Sequence, residues 1–396
     1  MVDEGYGKIC SPLPITTYAQ SIGSGTVTAS PAASVKPGTS ARDPLLDNAK
    51  YLAILLVVCG HLIENLRDVK GAHALYFYIY LFHMPLFIVI SGYLSRNFTF
   101  SAGKARKLIS GLAVPYVIFE AAYSMPRFFL YGKLEISLLD PYYLTWFLMS
   151  LFLWRLSTPV WQQLRWPLVV AVGLSLLSGT SALPDELSMN RTLALLPFYV
   201  LGLMLKPEHF DILRQRWARL AGAAILLVGL GVAFAVHMKV PTEWIRWRQA
   251  NSQIGVDDLS GSLIRLALLL TGALLVAAFI AITPRRRMWF TGLGAATMYA
   301  YLLHGFVVKV VERFYGRLDN PLGVMLVIVF GVVLATVLCT PPVQRLTRWA
   351  VEPNMSWAFT KLRRPESRTK AGSPPPGAPA AGDNESVHSR EPAVHG

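Results

Sequence analysis

Apolar runs long enough to cross about 30 Å of hydrocarbon recur ten times down the middle of this chain. They fall at roughly 50–66, 74–95, 108–130, 143–158, 166–180, 192–205, 218–237, 262–283, 291–312 and 322–340. The runs are continuous rather than alternating, and lipid admits only helices or closed barrels. The spacing therefore predicts an all-α, polytopic membrane protein of about ten transmembrane helices. Composition agrees: 53% of the 396 residues are hydrophobic and 15% are charged, where a soluble globular chain carries about 25% charge. Two polar tails flank the apolar middle. Residues 1–42 and the Pro/Ala/Gly-rich end of 351–396, from about 365 on, are too poor in apolar side chains to build a core. That leaves 43–350 as one transmembrane domain. No fixed-period repeat is visible.

The formal charge of +14 invites a nucleic-acid reading, but the Lys and Arg lie in short loops between apolar runs, where they set topology. With a cytoplasmic N-terminus, the inner loops carry thirteen cations in about 43 residues and the outer loops nine in about 64. Both termini are therefore expected in the cytoplasm, with the chain multi-pass in the cell membrane. The N-terminus lacks a basic region followed at once by an apolar core, which argues against a cleavable signal peptide. Three cysteines, Cys10, Cys59 and Cys339, are too few for a disulfide framework, and no CxxC or His/Cys cluster points to a metal. The loop at about 238–261 contains Trp244, Trp247 and Arg248, which suit an interfacial anchor or a stacking surface for a sugar.

Ionisable groups in hydrocarbon are costly and mark function by default. Lys50 and His61 are eleven residues apart on the first run, almost three helical turns, so they share a face, and Glu64 follows His61 by three. His83 on the second run and His304 on the ninth fall at nearly the same depth, with Pro85 beside the former. Tyr80/His83 and Tyr301/His304 are each i, i+3 pairs. Three imidazoles from three helices thus converge on one layer. A neutral imidazole accepts a proton near pH 7, and Glu64 is placed to orient His61. The cluster suits a base that deprotonates a hydroxyl for acyl transfer. It equally suits a proton-coupled secondary transporter, or packing histidines in an inactive accessory protein. Glu120 and Arg127 read as a structural pair; Arg265, Lys309 and Glu312 lie near span ends, where they can snorkel.

The segment DNAKYLAILLVVCGH, with Lys50-x10-His61, resembles the Arg/Lys-x10-His signature of the acyltransferase-3 family, in its fucose 4-O-acetylase-like branch. FHMPLFIVISGYL (Phe82 to Leu94) resembles that family's second-span motif, LTWFL (Leu144 to Leu148) its Trp-Phe-Leu segment, and MYAYLLH (Met298 to His304) its late Tyr-x-x-His element. The likeness covers about 43–350 in the right order. Lys50 stands where Arg is commoner, and Lys104-Ala-Arg106-Lys107 replaces the expected Arg-x-x-Arg.

The resemblance implies an integral-membrane O-acyltransferase moving an acyl group, usually acetyl, from cytosolic acyl-CoA to a hydroxyl of a carbohydrate, glycolipid or similar acceptor. It implies acetyl-CoA as donor co-substrate and no metal. On this reading His61, Glu64 and Lys50 are catalytic, with His61 the general base. His83, Ser91, Trp146, Tyr301 and His304 contact substrate, and Tyr301 or Tyr80 donates to the developing oxyanion. Arg96, Lys104, Arg106 and Lys107 hold the CoA phosphates. The expected partners are lipid, acyl-CoA and the acceptor, with no nucleic acid; oligomeric state is not legible.

Overall fold

The computed structural model describes residues 43–69, 71–131, 137–183 and 186–360. The N-terminal tail, the C-terminal stretch from about 365 and the side chain of Arg127 lie outside the described residues, so the readings placed there, the Glu120–Arg127 pair included, find no counterpart.

Every regular element among the described residues is helical. In chain order they are α1 (Pro44–Ile63), α2 (Ala72–Ser95), α3 (Ala102–Leu108), α4 (Val114–Tyr131), α5 (Trp146–Trp161), α6 (Pro167–Thr180), α7 (Met189–Ala194) and α8 (Leu196–Met204). They continue with α9 (Pro207–Ile212), α10 (Arg216–Val236), α11 (Glu243–Arg246), α12 (Asp258–Ile282), α13 (Thr297–Val311), α14 (Pro321–Leu338) and α15 (Pro341–Val351). The starts follow local chemistry. Asp43 Oδ1 accepts the Leu45 amide at 2.9 Å, with Pro44 in the first turn of α1, and Asn320 caps α14 the same way ahead of Pro321. A π-helical turn over Ile109–Ala113 joins α3 to α4.

Seven helical stretches are long and apolar enough to cross a membrane: Pro44–Leu66, Ala72–Ser95, Ala102–Met125, Arg216–Val236, Asp258–Ile282, Leu293–Gly316 and Pro321–Leu338. These match seven of the ten runs. The fourth to sixth runs form shorter pieces. α5 starts only after Pro141 and the left-handed Tyr143 (φ 54°). α6 has 14 residues. The chain over Glu186–Ala194 meets α8 at a 56° bend, beside Pro197 in the first turn of α8, where proline offers no amide to continue a helix.

Long-range hydrogen bonds at the helix ends define two ends of the bundle. At the Lys50 end, the buried Asn48 Nδ2 donates to the carbonyls of Pro284 and Arg286 at 2.8 and 3.0 Å, and its Oδ1 accepts from Thr291 at 2.6 Å. Gln162 Nε2 donates to the Arg96 carbonyl and Arg285 to that of Phe210 at this end too. At the Glu64 end, Asn251 N donates to the Gly179 carbonyl at 2.8 Å and Tyr315 Oη to that of Leu62 at 2.6 Å.

α1 and α2 form the centre. α1 packs against α2, α13 and α14, and α2 against α8, α10 and α12. The α2–α8 crossing is backbone-tight: a Cβ on Gly92 would strike the Tyr199 carbonyl, and one on Gly202 the Val89 carbonyl. α10 and α14 lie at the periphery, exposing Leu220, Leu227, Leu322 and Val329, as lipid-facing helices do.

Candidate active site

A cavity of about 460 Å³ lies at the Glu64 end of α1. His61, Tyr80, His83, Pro85 and Tyr301 line it from the helices. Three stretches, Asp140–Leu144, Ser188–Arg191 and Ile245–Arg248, supply most of the rest of its wall, with Glu64, Met84, Trp146 and Leu195. Four non-glycine residues among those described have positive φ, namely Tyr143, Leu187, Ser188 and Trp247. Three of them line this cavity. Such conformations cost of order 1–3 kcal/mol each and cluster at functional sites.

His61 sits in the last turn of α1, and Glu64 opens the 3₁₀ turn that follows. Their i, i+3 spacing brings Nδ1 to 3.6 Å from Oε2, beyond a good hydrogen bond. Tyr80 fills the gap. Its Oη lies 3.1 Å from His61 Nδ1 and donates to Glu64 Oε2 at 3.3 Å. With the phenolic proton on the carboxylate, the first contact is completed by His61 Nδ1–H donating to Tyr80. The lone pair then stands on Nε2.

Glu64 is held from its other side. Arg246 Nη2 donates to Oε1 at 2.8 Å and Tyr76 Oη to the same oxygen at 3.4 Å, while Arg246 Nε donates to Tyr76 Oη at 3.1 Å. Burial works against the Arg246 charge, but Tyr76 and Glu64 outweigh it and raise the pKa above the ordinary guanidinium value. Arg67 braces the turn by donating to the Glu64 carbonyl at 2.7 Å.

His83 and His304 are held alike. Each is buried, and each Nδ1 lies against the carbonyl four residues earlier, Ile79 at 2.8 Å and Ala300 at 2.9 Å. A carbonyl only accepts, so both carry the proton on Nδ1 and keep Nε2 as acceptor. The His304 ring is 5.4 Å from that of His61, and its Nε2 has no hydrogen-bond partner among the described residues. Tyr80 stacks its edge on His83 at 4.7 Å. The three imidazoles named from spacing thus meet in one cluster, although His304 packs behind the cavity lining rather than in it.

The other sequence-derived residues divide. Trp146 lines the cavity, its ring 4.9 Å from the Arg191 guanidinium. Tyr301 lines it too, but its hydroxyl donates to the Leu144 carbonyl, so that proton is engaged in fixing the 140–144 connection rather than open to an oxyanion. Ser91 lies away from the lining, where its carbonyl accepts from Ser95. Lys50 pairs with Asp47 at 2.7 Å, at the opposite end of α1. Near that end, Arg96 stacks over Tyr93 at 4.0 Å, Lys104 donates to Thr99 Oγ1 at 3.1 Å, Arg106 donates to the Thr360 carbonyl, and Lys107 is exposed. The structure does not bring Lys50 or these four cations to the His61 cavity.

Two sequence readings, the interfacial tryptophans of the 238–261 loop and the snorkelling Arg265 of α12, are corrected. Trp244 and Trp247 are buried, so neither anchors at a lipid interface; Trp247 lines the cavity. Arg265 is buried as well, instead of snorkelling. Its Nε donates to Asn251 Oδ1 at 2.9 Å and its Nη2 to the Gln249 carbonyl at 2.5 Å. Its guanidinium stands 5.8 and 6.0 Å from the rings of Trp244 and Trp247. It pins the loop that carries Arg246 over Glu64. Lys309 and Glu312 pair at 3.1 Å and stay partly exposed. Arg246, Arg191 and Tyr143 are the wall residues that sequence patterns missed. Among the described residues no group of three or more His, Cys, Asp or Glu side chains is placed to hold a metal ion.

The chain is a multi-pass helical bundle with an imidazole and a carboxylate facing one cavity. A family model described as an acyltransferase domain matches residues 43–341, and the chain belongs to that family, acyltransferase-3: it is an acyltransferase. The chain is 25% identical over 310 residues to the nodulation protein NolL of Sinorhizobium fredii, a match covering 70% of this chain and 81% of that protein. It is 45% identical over 64 residues to NolL of Mesorhizobium japonicum, covering 15% of this chain and only 17% of that relative. No solved structure gives a significant match.

Proposed function

We propose that this protein is an O-acyltransferase that moves an acyl group, acetyl in the first instance, from cytosolic acyl-CoA to a hydroxyl of a carbohydrate, glycolipid or similar acceptor, with His61 as general base. One observation carries the reading: the Arg246–Glu64–Tyr80–His61 chain, ending on an imidazole that lines a cavity of about 460 Å³. The acceptor hydroxyl gives its proton to His61 Nε2 as its oxygen attacks the thioester carbonyl. The C–S bond then breaks, the CoA thiolate leaves and takes up a proton, and the ester remains on the acceptor. Positive charge on His61 is stabilised, through the Tyr80 hydroxyl between them, by the Glu64 carboxylate, which Arg246 holds in place.

The acceptor enters among the polar connections at the Glu64 end, where Trp146 and Trp247 offer apolar faces beside Arg191 and Arg248. The donor arrives from the Lys50 end, taken as the cytoplasmic side of the cell membrane in keeping with the loop charge bias. There Arg96, Lys104, Arg106 and Lys107 are the residues for the CoA phosphates, with Lys50 at the inner edge of the path. The test is incubation of membranes carrying the protein with labelled acetyl-CoA and a mixture of glycan and glycolipid acceptors. The expected result is base-labile label on the acceptor, absent with His61→Ala at equal expression. Proton-gradient-driven solute uptake without acyl-CoA consumption would overturn the reading in favour of a transporter.

A further inference from the structure

Every exposed tryptophan among the described residues lies at one end of the bundle. Trp166, Trp217, Trp289, Trp349 and Trp357 are between 59% and 81% exposed. They lie, in turn, in the α5–α6 connection, the start of α10, the α12–α13 connection, α15 and the turn beyond it, all at the Lys50 end. The tryptophans of the Glu64 end, Trp146, Trp244 and Trp247, are buried. Arginine accompanies the exposed set, as where Arg165 lies 5.8 Å from the Trp166 ring. Exposed tryptophan beside arginine suits neither bulk water nor hydrocarbon; it is the pattern of a headgroup layer.

α15 concentrates that pattern. Ala350 and Val351 are buried as the helix packs on α13 and α4. Its outer face exposes Arg345, Leu346, Arg348 and Trp349 together, with Leu346 and Trp349 exposed by 75% and 72%. The acid on this face, Glu352, lies 3.8 Å from Arg348, leaving the face net basic. Beyond α15 the chain returns to the bundle, where Arg106 donates to the Thr360 carbonyl and lies 5.4 Å from the Phe359 ring.

We propose that residues 341–360 form a strap seated in an anionic lipid leaflet. α15 lies in the membrane plane with Arg345 and Arg348 on lipid phosphates and Leu346 and Trp349 among the first methylenes, and the segment after it ties Arg106 to that surface. Lipid seating stands independently of the acyl-transfer reading; only the further step, that the strap orders a donor contact, rests on it. In the test, the full chain is placed in nanodiscs of phosphatidylcholine with and without phosphatidylglycerol, and co-purifying lipid is measured by native mass spectrometry. Each basic residue at an anionic surface is worth about fivefold in affinity. Arg345→Gln/Arg348→Gln therefore lowers phosphatidylglycerol retention about 25-fold at low salt. Brominated phosphatidylglycerol quenches wild-type fluorescence more than that of Trp349→Leu. Unchanged lipid retention in the double variant, or equal fractional quenching in Trp349→Leu, overturns the strap. Absence of acyl transfer in the wild type overturns the functional reading and leaves the lipid result standing.

Discussion

The guanidinium of Arg246 lies 2.8 Å from the carboxylate of Glu64, 182 residues away along the chain. One comes from a four-residue helix in a connecting loop, the other from the turn that ends α1, and both side chains are about three-quarters buried. Truncating one partner leaves the other charge poorly solvated, and a hydrogen bond to a charged group is worth about 1.5–3 kcal/mol. Arg246→Ala is expected to lower turnover roughly 10- to 100-fold, while Arg246→Lys, which keeps the charge and loses the second bond to Tyr76, recovers part of it. Steady-state kinetics on purified protein with matched gel-filtration profiles checks this.

Tyr80 and Tyr301 test which hydroxyl serves the base. Tyr80→Phe removes the atom standing between His61 and Glu64 but keeps the ring packed on Tyr76, 4.0 Å away. Turnover should fall about tenfold or more, with little change in thermal stability. Tyr301→Phe instead frees the Leu144 carbonyl, so its main effect is on stability, about 1–2 kcal/mol, with a smaller loss of turnover. Parallel melting curves and rates separate the two, and the reverse order would assign the chemistry to Tyr301.

The legible part of this site is the part written on single helices. His61, Glu64, His83 and His304 follow from 3.6-residue periodicity and depth; the His61 and His304 rings meet at 5.4 Å, and the Tyr80 ring touches those of both His61 and His83. Tyr80 was visible as the i−3 neighbour of His83, yet its place between His61 and Glu64 depends on how α1 and α2 are rotated against each other, which no single-helix pattern encodes. Arg246 and Arg191 sit in the short helices α11 and α7, on stretches whose paths are set by distant contacts, such as Asn251 to Gly179 and Arg265 to Asn251. Arg265 itself looks like a snorkelling residue from hydropathy alone, because nothing local reveals that a loop folds back to meet it. The fold divides the same way. Long apolar runs gave seven membrane-length helices, while the region from Pro141 to Met204 broke into shorter pieces at prolines and left-handed residues.

Arg265 provides the stability counterpart. Its removal strands Asn251 Oδ1 and the Gln249 carbonyl inside the protein, each worth about 1–3 kcal/mol. Arg265→Met is expected to lower the melting temperature in detergent and to reduce turnover through the loosened Arg246. Exchange measurements should place the loss of amide protection in residues 243–256 before any change in α1.

At the α2–α8 crossing, a methyl group has no room. Gly202→Ala is expected to destabilise the fold by about 1–3 kcal/mol through overpacking, whereas Gly173→Ala, which meets nothing nearby, should leave the melting temperature unchanged. Thermal unfolding of the two variants side by side checks it.

The most direct measurement is the rate of acyl transfer from labelled acetyl-CoA by purified His61→Ala, compared with wild type at saturating donor. A base positioned by Tyr80 and Glu64 should be worth at least about 100-fold in turnover, with donor affinity preserved. Turnover within a few-fold of wild type would contradict a general-base role for His61.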